Sequence, residues 1–163
     1  MAAGSRMRRA ARQGYSFVEL LVVAALVLIL ASAVLPLSRV GVQRQKEVEL
    51  RRGLRELRTA IDRYKDAADL QQISNFELEP DDMGYPPDLD TLVVGVPRAG
   101  DANQTKLRFL RRIPKDPLTG DAEWGLRSYQ DRPESTSWGG ENVFDVYSKA
   151  YGKGLDGTPY TEW

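Results

Sequence analysis

The chain offers little for catalysis, but it places one acidic side chain in unusual surroundings. None of its 163 residues is a histidine or a cysteine, which excludes the commonest general base, a thiolate nucleophile and thiolate metal sites. No spacing singles out paired carboxylates or a serine–lysine pair, so the sequence favours a non-enzymatic protein. Glu19 is the only charged residue between Arg12 and Arg39. A carboxylate at the centre of a bilayer costs about 2.5–3.5 kcal/mol, so a cationic partner or an interfacial position is expected for Glu19.

The apolar tract around Glu19 predicts a membrane helix. Residues 20–38 are 19 uncharged positions, about the number that a helix needs to cross ~30 Å of hydrocarbon. The four basic residues before Gly14 are Arg6, Arg8, Arg9 and Arg12. Because basic flanks stay on the cytoplasmic side, the sequence predicts a single pass with a cytoplasmic N-terminus and the remainder across the membrane.

The order of Gly14, Tyr15, Glu19 and an uninterrupted apolar tract resembles the prepilin signature of type IV pilins and type II secretion pseudopilins. In that family, a prepilin peptidase cuts after the glycine and methylates the new amine. The resemblance implies that residues 1–14 are a cleaved leader peptide, that the cut falls between Gly14 and Tyr15, and that Tyr15 becomes N-methylated. Tyr15 stands where phenylalanine is usual, and the aromatic character is kept.

This resemblance implies a structural subunit of the type II secretion pseudopilus, most similar to its major pseudopilin. Such a subunit is stored in the bacterial inner membrane with its C-terminal head in the periplasm. It self-associates into a helical filament that helps drive protein export, and its partners are minor pseudopilins, an inner-membrane assembly platform and the prepilin peptidase. Glu19 would then meet the Tyr15 amine of a neighbouring subunit.

Three alternatives remain open at this stage. A type IV pilus subunit, including a minor pilin, shares the same N-terminus. A membrane-anchored periplasmic binding module would keep its leader. An ordinary signal peptide cut near Ala31-Ser32-Ala33 would remove Glu19 together with the apolar tract.

One long helix is predicted from Tyr15 to Leu70. Pro36 removes a helical hydrogen bond, and a kink rather than a stop is expected because helical periodicity resumes after it. Residues 15–38 form the transmembrane and filament-core half of this helix, and residues 39–163 form the head. An apolar stripe with spacings of three and four comprises Leu50, Leu54, Leu57, Ile61, Tyr64 and Ala68. The predicted surface ion pairs are Glu47–Arg51, Arg52–Glu56 and Arg58–Asp62.

The rest of the head predicts a small antiparallel sheet packed on the helix, which makes the fold class α+β and pilin-like. Residues 71–105 are an irregular region with a short helix after Pro86-Pro87-Asp88. The stretch around Asp116, between two prolines, is similar to a turn of the major pseudopilins. Strands are predicted at 124–130 and 142–148, with a polar loop between them. The expected core residues are Leu107, Leu110, Ile113, Trp124, Leu126, Phe144 and Val146.

The C-terminal segment is similar to the family's glycine- and aspartate-rich loop, which binds one calcium ion. Asp156 and Glu162 are the carboxylates close enough in sequence to serve as metal ligands. The loop is shorter and less acidic than the family's. A metal-free aspartate-glycine turn anchored by Trp163 is therefore the alternative.

Overall fold

The long predicted helix is present. A computed structural model of the chain describes residues 15–74, 82–101, 103 and 105–163, and it describes residues 33–39 by their backbone only. Helix α1 spans Phe17–Asp69, and its backbone is helical on both sides of Pro36. The alternative of a helix stop at Pro36 is therefore excluded, while the kink stays a prediction. The chain divides into two units, Met1–Gly41 and Val42–Trp163.

The apolar stripe of α1 forms the core of the second unit. All six of its predicted members are buried, and Leu50, Leu57, Ile61 and Tyr64 are fully so. They pack with residues from the later segments of the chain, including Leu92, Leu110, Trp124, Val143 and Val146. Burial of this face on the chain's own head confirms the interpretation that the sequence favoured over a coiled-coil seam.

A short helix follows the paired prolines, as predicted. Helix α2 spans Leu89–Val94, and Asp88 caps it by accepting a hydrogen bond from the Thr91 amide at 2.7 Å. Gly95 ends the helix with a φ of 81°, a left-handed conformation that favours glycine. Helix α2 buries Leu89 and Leu92.

Two small antiparallel sheets complete the second unit. Strand β1 (Val96–Pro97) pairs with β2 (Lys106–Leu107), and β3 (Gly125–Arg127) pairs with β4 (Asp145–Tyr147). A Cβ on Gly125 would lie 2.2 Å from Cζ of Tyr147, its cross-strand partner, so only glycine fits there. The α+β class with a long helix and small antiparallel sheets is thus confirmed.

Several details of the head differ from the predictions. Strands β3 and β4 are shorter than predicted, and the β1–β2 pair was missed because two residues show no periodicity. Phe144 is 43% exposed rather than in the core, because it stacks edge-on against Tyr85 and Tyr129 at the surface. None of the three predicted pairs along α1 forms among the described residues, where Arg51 and Arg58 bind later segments instead.

The predicted inner-membrane localisation is wrong. Among the residues that the structure describes, no helix combines the length and the apolar character needed to cross a membrane.

Candidate functional site

The first unit presents an exposed apolar surface with a single acid. Glu19 lies in the first turn of α1, where its charge interacts favourably with the positive end of the helix dipole. The twelve large apolar side chains around it are 51–76% exposed, and they are Tyr15, Phe17, Val18, Leu20, Leu21, Val22, Val23, Leu26, Val27, Leu28, Ile29 and Leu30. A contiguous apolar surface of this extent marks an interaction site.

The other residues of the predicted processing and assembly site are only partly visible. Gly14 and the rest of the leader, residues 1–14, lie outside the described residues. Tyr15 precedes α1, and its side chain is 76% exposed. The peptide bond predicted to be cut therefore joins Gly14 to a residue beside the helix N-terminus. Cleavage and methylation there stay predictions.

In the second unit, a buried carboxylate on α1 holds the C-terminal segment. Glu47 is 8% exposed. Its Oε1 accepts hydrogen bonds from the Leu155 amide at 2.9 Å, from the Tyr160 hydroxyl at 3.0 Å and from Nε2 of Gln43 at 3.0 Å. Burial raises the pKa of Tyr160, which keeps its hydroxyl protonated as a donor to Glu47. Three donors compensate the loss of hydration around this one carboxylate.

One turn further along α1, an arginine binds the predicted metal-ligand residue. Arg51 Nη2 lies 2.8 Å from Oδ2 of Asp156, and its guanidinium stacks 4.1 Å from the ring centroid of Trp163. Asp156 Oδ1 accepts a hydrogen bond from the Thr158 amide at 3.0 Å. That amide, with Arg51 as a further cause, holds the pKa of Asp156 below its usual value. Asp156 is consequently ionised and paired at neutral pH.

A third side chain of α1 reaches both the second sheet and the end of the chain. Arg58 Nε lies 2.7 Å from Oδ1 of Asp145 on β4, and its Nη2 donates to the carbonyl oxygens of Val146 and Trp163 at 3.0 and 2.9 Å. Arg127 on β3, 6% exposed, approaches Oδ2 of Asp145 at 3.3 Å and donates to the Thr161 carbonyl at 2.8 Å. Asp145 therefore neutralises two arginines that both anchor the C-terminal segment.

The proline-flanked turn has a structural role that its sequence did not reveal. Asp116 is fully buried, and its Oδ1 accepts a hydrogen bond from the Leu118 amide at 2.7 Å. Its Oδ2 accepts one from Oγ of Ser148 at 2.5 Å, directly after β4. The proline-flanked turn and the end of β4 are thus joined by one buried hydrogen bond. This contact stabilises the head and leaves no free carboxylate oxygen for chemistry.

The residues of the predicted calcium site do not fit that ion well. Calcium takes six to eight oxygen ligands, whereas both carboxylate oxygens of Asp156 are already engaged by Arg51 and Thr158. Glu162 is exposed in a 3₁₀ helix, Tyr160–Glu162. Over the described part of the chain, no three acidic side chains form a group suited to a metal ion. The geometry agrees better with the metal-free turn that was the alternative.

Sequence reasoning missed the contacts that hold the C-terminal segment, although one signal was present. Glu47 lies three positions before Leu50 and extends the apolar stripe by one turn. A charged residue in line with buried positions indicates a buried polar contact. The partners of Arg58 could not be found in this way, because Asp145 is 87 positions away in sequence.

Comparison with models of known protein families, with curated proteins and with solved structures found no match to this chain. The family resemblance therefore rests on the sequence motifs alone.

Proposed function

We propose that this chain is a structural subunit of a filament, of the kind formed by the pseudopilins of type II secretion systems. The prepilin peptidase would cut it after Gly14 and methylate Tyr15, and the mature subunits would assemble with minor pseudopilins into a filament that helps drive protein export. An architecture in which the C-terminal half of a long helix packs against small antiparallel sheets supports this proposal.

The observation that carries the proposal is the exposed apolar part of α1 with Glu19 as its only charge. Water-exposed apolar side chains over four helical turns are costly at roughly 25 cal/mol per Å², so burial against other helices is strongly favoured. Copies of the same helix can supply that cover. Glu19 would then be buried as well, and it would require a cation.

Cleavage creates the cation that such burial requires. A new amine at Tyr15 carries a positive charge at neutral pH. Glu19 of one subunit and the Tyr15 amine of the next can pair when their helices lie side by side. This pairing offsets the desolvation of both groups and fixes the position of one subunit along another.

The first test is mass spectrometry of the mature N-terminus, after expression with a prepilin peptidase. Methylated Tyr15 is expected as the first residue. A chain that still begins at Met1, or one that begins after Ala33, would refute the proposed processing.

The second test compares Glu19→Ala with Glu49→Ala, a substitution at an exposed acid elsewhere on α1. Both variants should be cut normally by the peptidase. Sedimentation and electron microscopy should show filaments for Glu49→Ala and few or none for Glu19→Ala. Normal assembly of Glu19→Ala would exclude the proposed role of this carboxylate.

A further inference from the structure

The head carries an uncompensated basic surface. Between Asn103 and Asp116 the chain has five basic residues and no acid, and we call this group the basic strip: Lys106, Arg108, Arg111, Arg112 and Lys115. All five side chains are exposed, and none lies within ion-pair distance of a described acid. Five clustered cations without counter-charges repel one another, so an acidic partner would stabilise them.

The same head carries an unpaired acidic surface. From Asp66 to Pro97 the sequence has eight acidic residues and no basic one. We call four exposed acids that have no ion pair with a described residue the acidic face: Asp62 and Asp66 near the end of α1, and Asp88 and Asp90 beside α2.

The strip begins beside α2, where Arg108 Nε donates to the Val94 carbonyl at 3.3 Å, and its other end lies away from the α1 part of the acidic face. Within the strip, Phe109 packs edge-on against Tyr64 with ring centroids 5.3 Å apart. At its other end, Pro114 packs beside Gly53, where an added Cβ would lie 3.8 Å from the Cβ of the proline. The strip therefore runs back along α1 over about 16 Å, away from Asp66, which lies beyond Tyr64.

We propose that the basic strip of one subunit binds the acidic face of the next copy of this chain. Charge complementarity favours a second copy of this chain as the partner, because one chain carries both surfaces and neither is neutralised within it. The contact joins two different patches, so it can repeat head to tail from one copy to the next, and it builds an open assembly when the rotation between copies does not close. It deepens the proposed function and rests on it, since it adds a contact between heads to the contact between apolar helices.

A charge-swap series on the cleaved full-length chain tests this contact. Association of the wild-type chain should respond strongly to salt, and Arg111→Glu with Arg112→Glu, which removes most of the strip's positive charge, should weaken it about tenfold or more. Adding Asp62→Arg and Asp66→Arg to the same chain gives the two new glutamates arginine partners on the opposite surface and should restore association. The matched control is Arg132→Glu with Lys153→Glu, two exposed cations outside the strip, which should leave association unchanged. Association that is insensitive to the strip, or equally reduced in the control, would overturn the proposal.

Cross-linking locates the contact and separates this inference from the proposed function. The chain has no cysteine, so Arg111→Cys and Asp66→Cys introduce the only thiols. A short bis-maleimide should join the two variants when they are mixed and should not join either variant to itself.

Filaments without the mixed product would refute the head contact and leave the proposed function standing. A mixed product in chains that never form filaments would support the contact and refute the proposed function. A strip that instead captures only phosphate-containing vesicles would also overturn the proposal.

Discussion

The Tyr160 hydroxyl donates a hydrogen bond of 3.0 Å to the buried carboxylate of Glu47, 113 positions earlier in the chain. The same carboxylate oxygen accepts a hydrogen bond from the Leu155 amide, so a single side chain of α1 binds two points of the C-terminal segment. With Arg51 and Arg58 one and three turns further along α1, it forms a row of polar side chains beside the apolar stripe. The stripe supplies the burial energy, and the row determines where the last residues of the chain lie.

Replacing Glu47 by alanine should therefore be strongly destabilising. The change removes three hydrogen bonds to a charged group and leaves the Tyr160 hydroxyl without its acceptor in a buried site. We expect a loss of about 2–3 kcal/mol in the free energy of unfolding, measured by urea denaturation. Glu49→Ala, at an exposed position of the same helix, is the control and should change stability by less than about 0.5 kcal/mol. Equal effects of the two substitutions would show that the Glu47 contacts contribute little.

The contacts of Asp156 predict that calcium has little effect on this protein. Arg51 and the Thr158 amide occupy both carboxylate oxygens, and an ion at this position would have to displace a guanidinium of the same charge sign. Thermal unfolding should have the same midpoint with added calcium as with a chelator. A midpoint that rises and saturates with calcium, but not with magnesium, would reinstate the family's metal site.

The lowered pKa of Asp156 predicts how stability depends on pH. Its folded-state pKa lies below the ordinary value of 3.8 because the carboxylate accepts the Thr158 amide and faces Arg51. The contribution to stability is therefore complete above the unfolded pKa and is lost as the pH falls through the folded one. Relative to Asp156→Asn, the wild-type protein should lose stability as the pH is lowered from about 5 toward 2. Parallel stability curves for the two proteins over this range would contradict the assignment.

The sequence predicted those parts of the fold that follow from local periodicity and local capping. The stripe from Leu50 to Tyr64 repeats at helical spacing, so both the helix and its buried face could be read directly. Asp88 after two prolines indicated the start of α2, because an aspartate at this position can cap the first turn of a helix. Strands β1 and β2 gave no comparable signal, because each has two residues and depends on its partner for its existence.

The contacts that position the C-terminal segment depend on distant pairings, which one sequence does not encode in its spacing. Arg58 and Arg127 meet Asp145 only after the second sheet has packed on α1. Local spacing favoured Asp62 as the partner of Arg58, but an exposed pair four residues apart contributes only about 0.3–0.5 kcal/mol. A partly buried carboxylate with two further carbonyl acceptors nearby competes successfully with so weak a pair.

If Glu19 acts through the amine that cleavage creates, its effect must depend on cleavage. In the mature chain, Glu19→Ala removes the acceptor for the neighbouring Tyr15 amine, and assembly should fall. In a chain that carries Gly14→Leu, which the peptidase is expected not to cut, no amine forms at Tyr15, so Glu19→Ala should produce little further loss. The double-mutant cycle, measured as the sedimentable fraction of the four proteins, should therefore be strongly non-additive. Additive losses would mean that Glu19 and the new N-terminus act independently, with the helix dipole rather than an amine stabilising the charge.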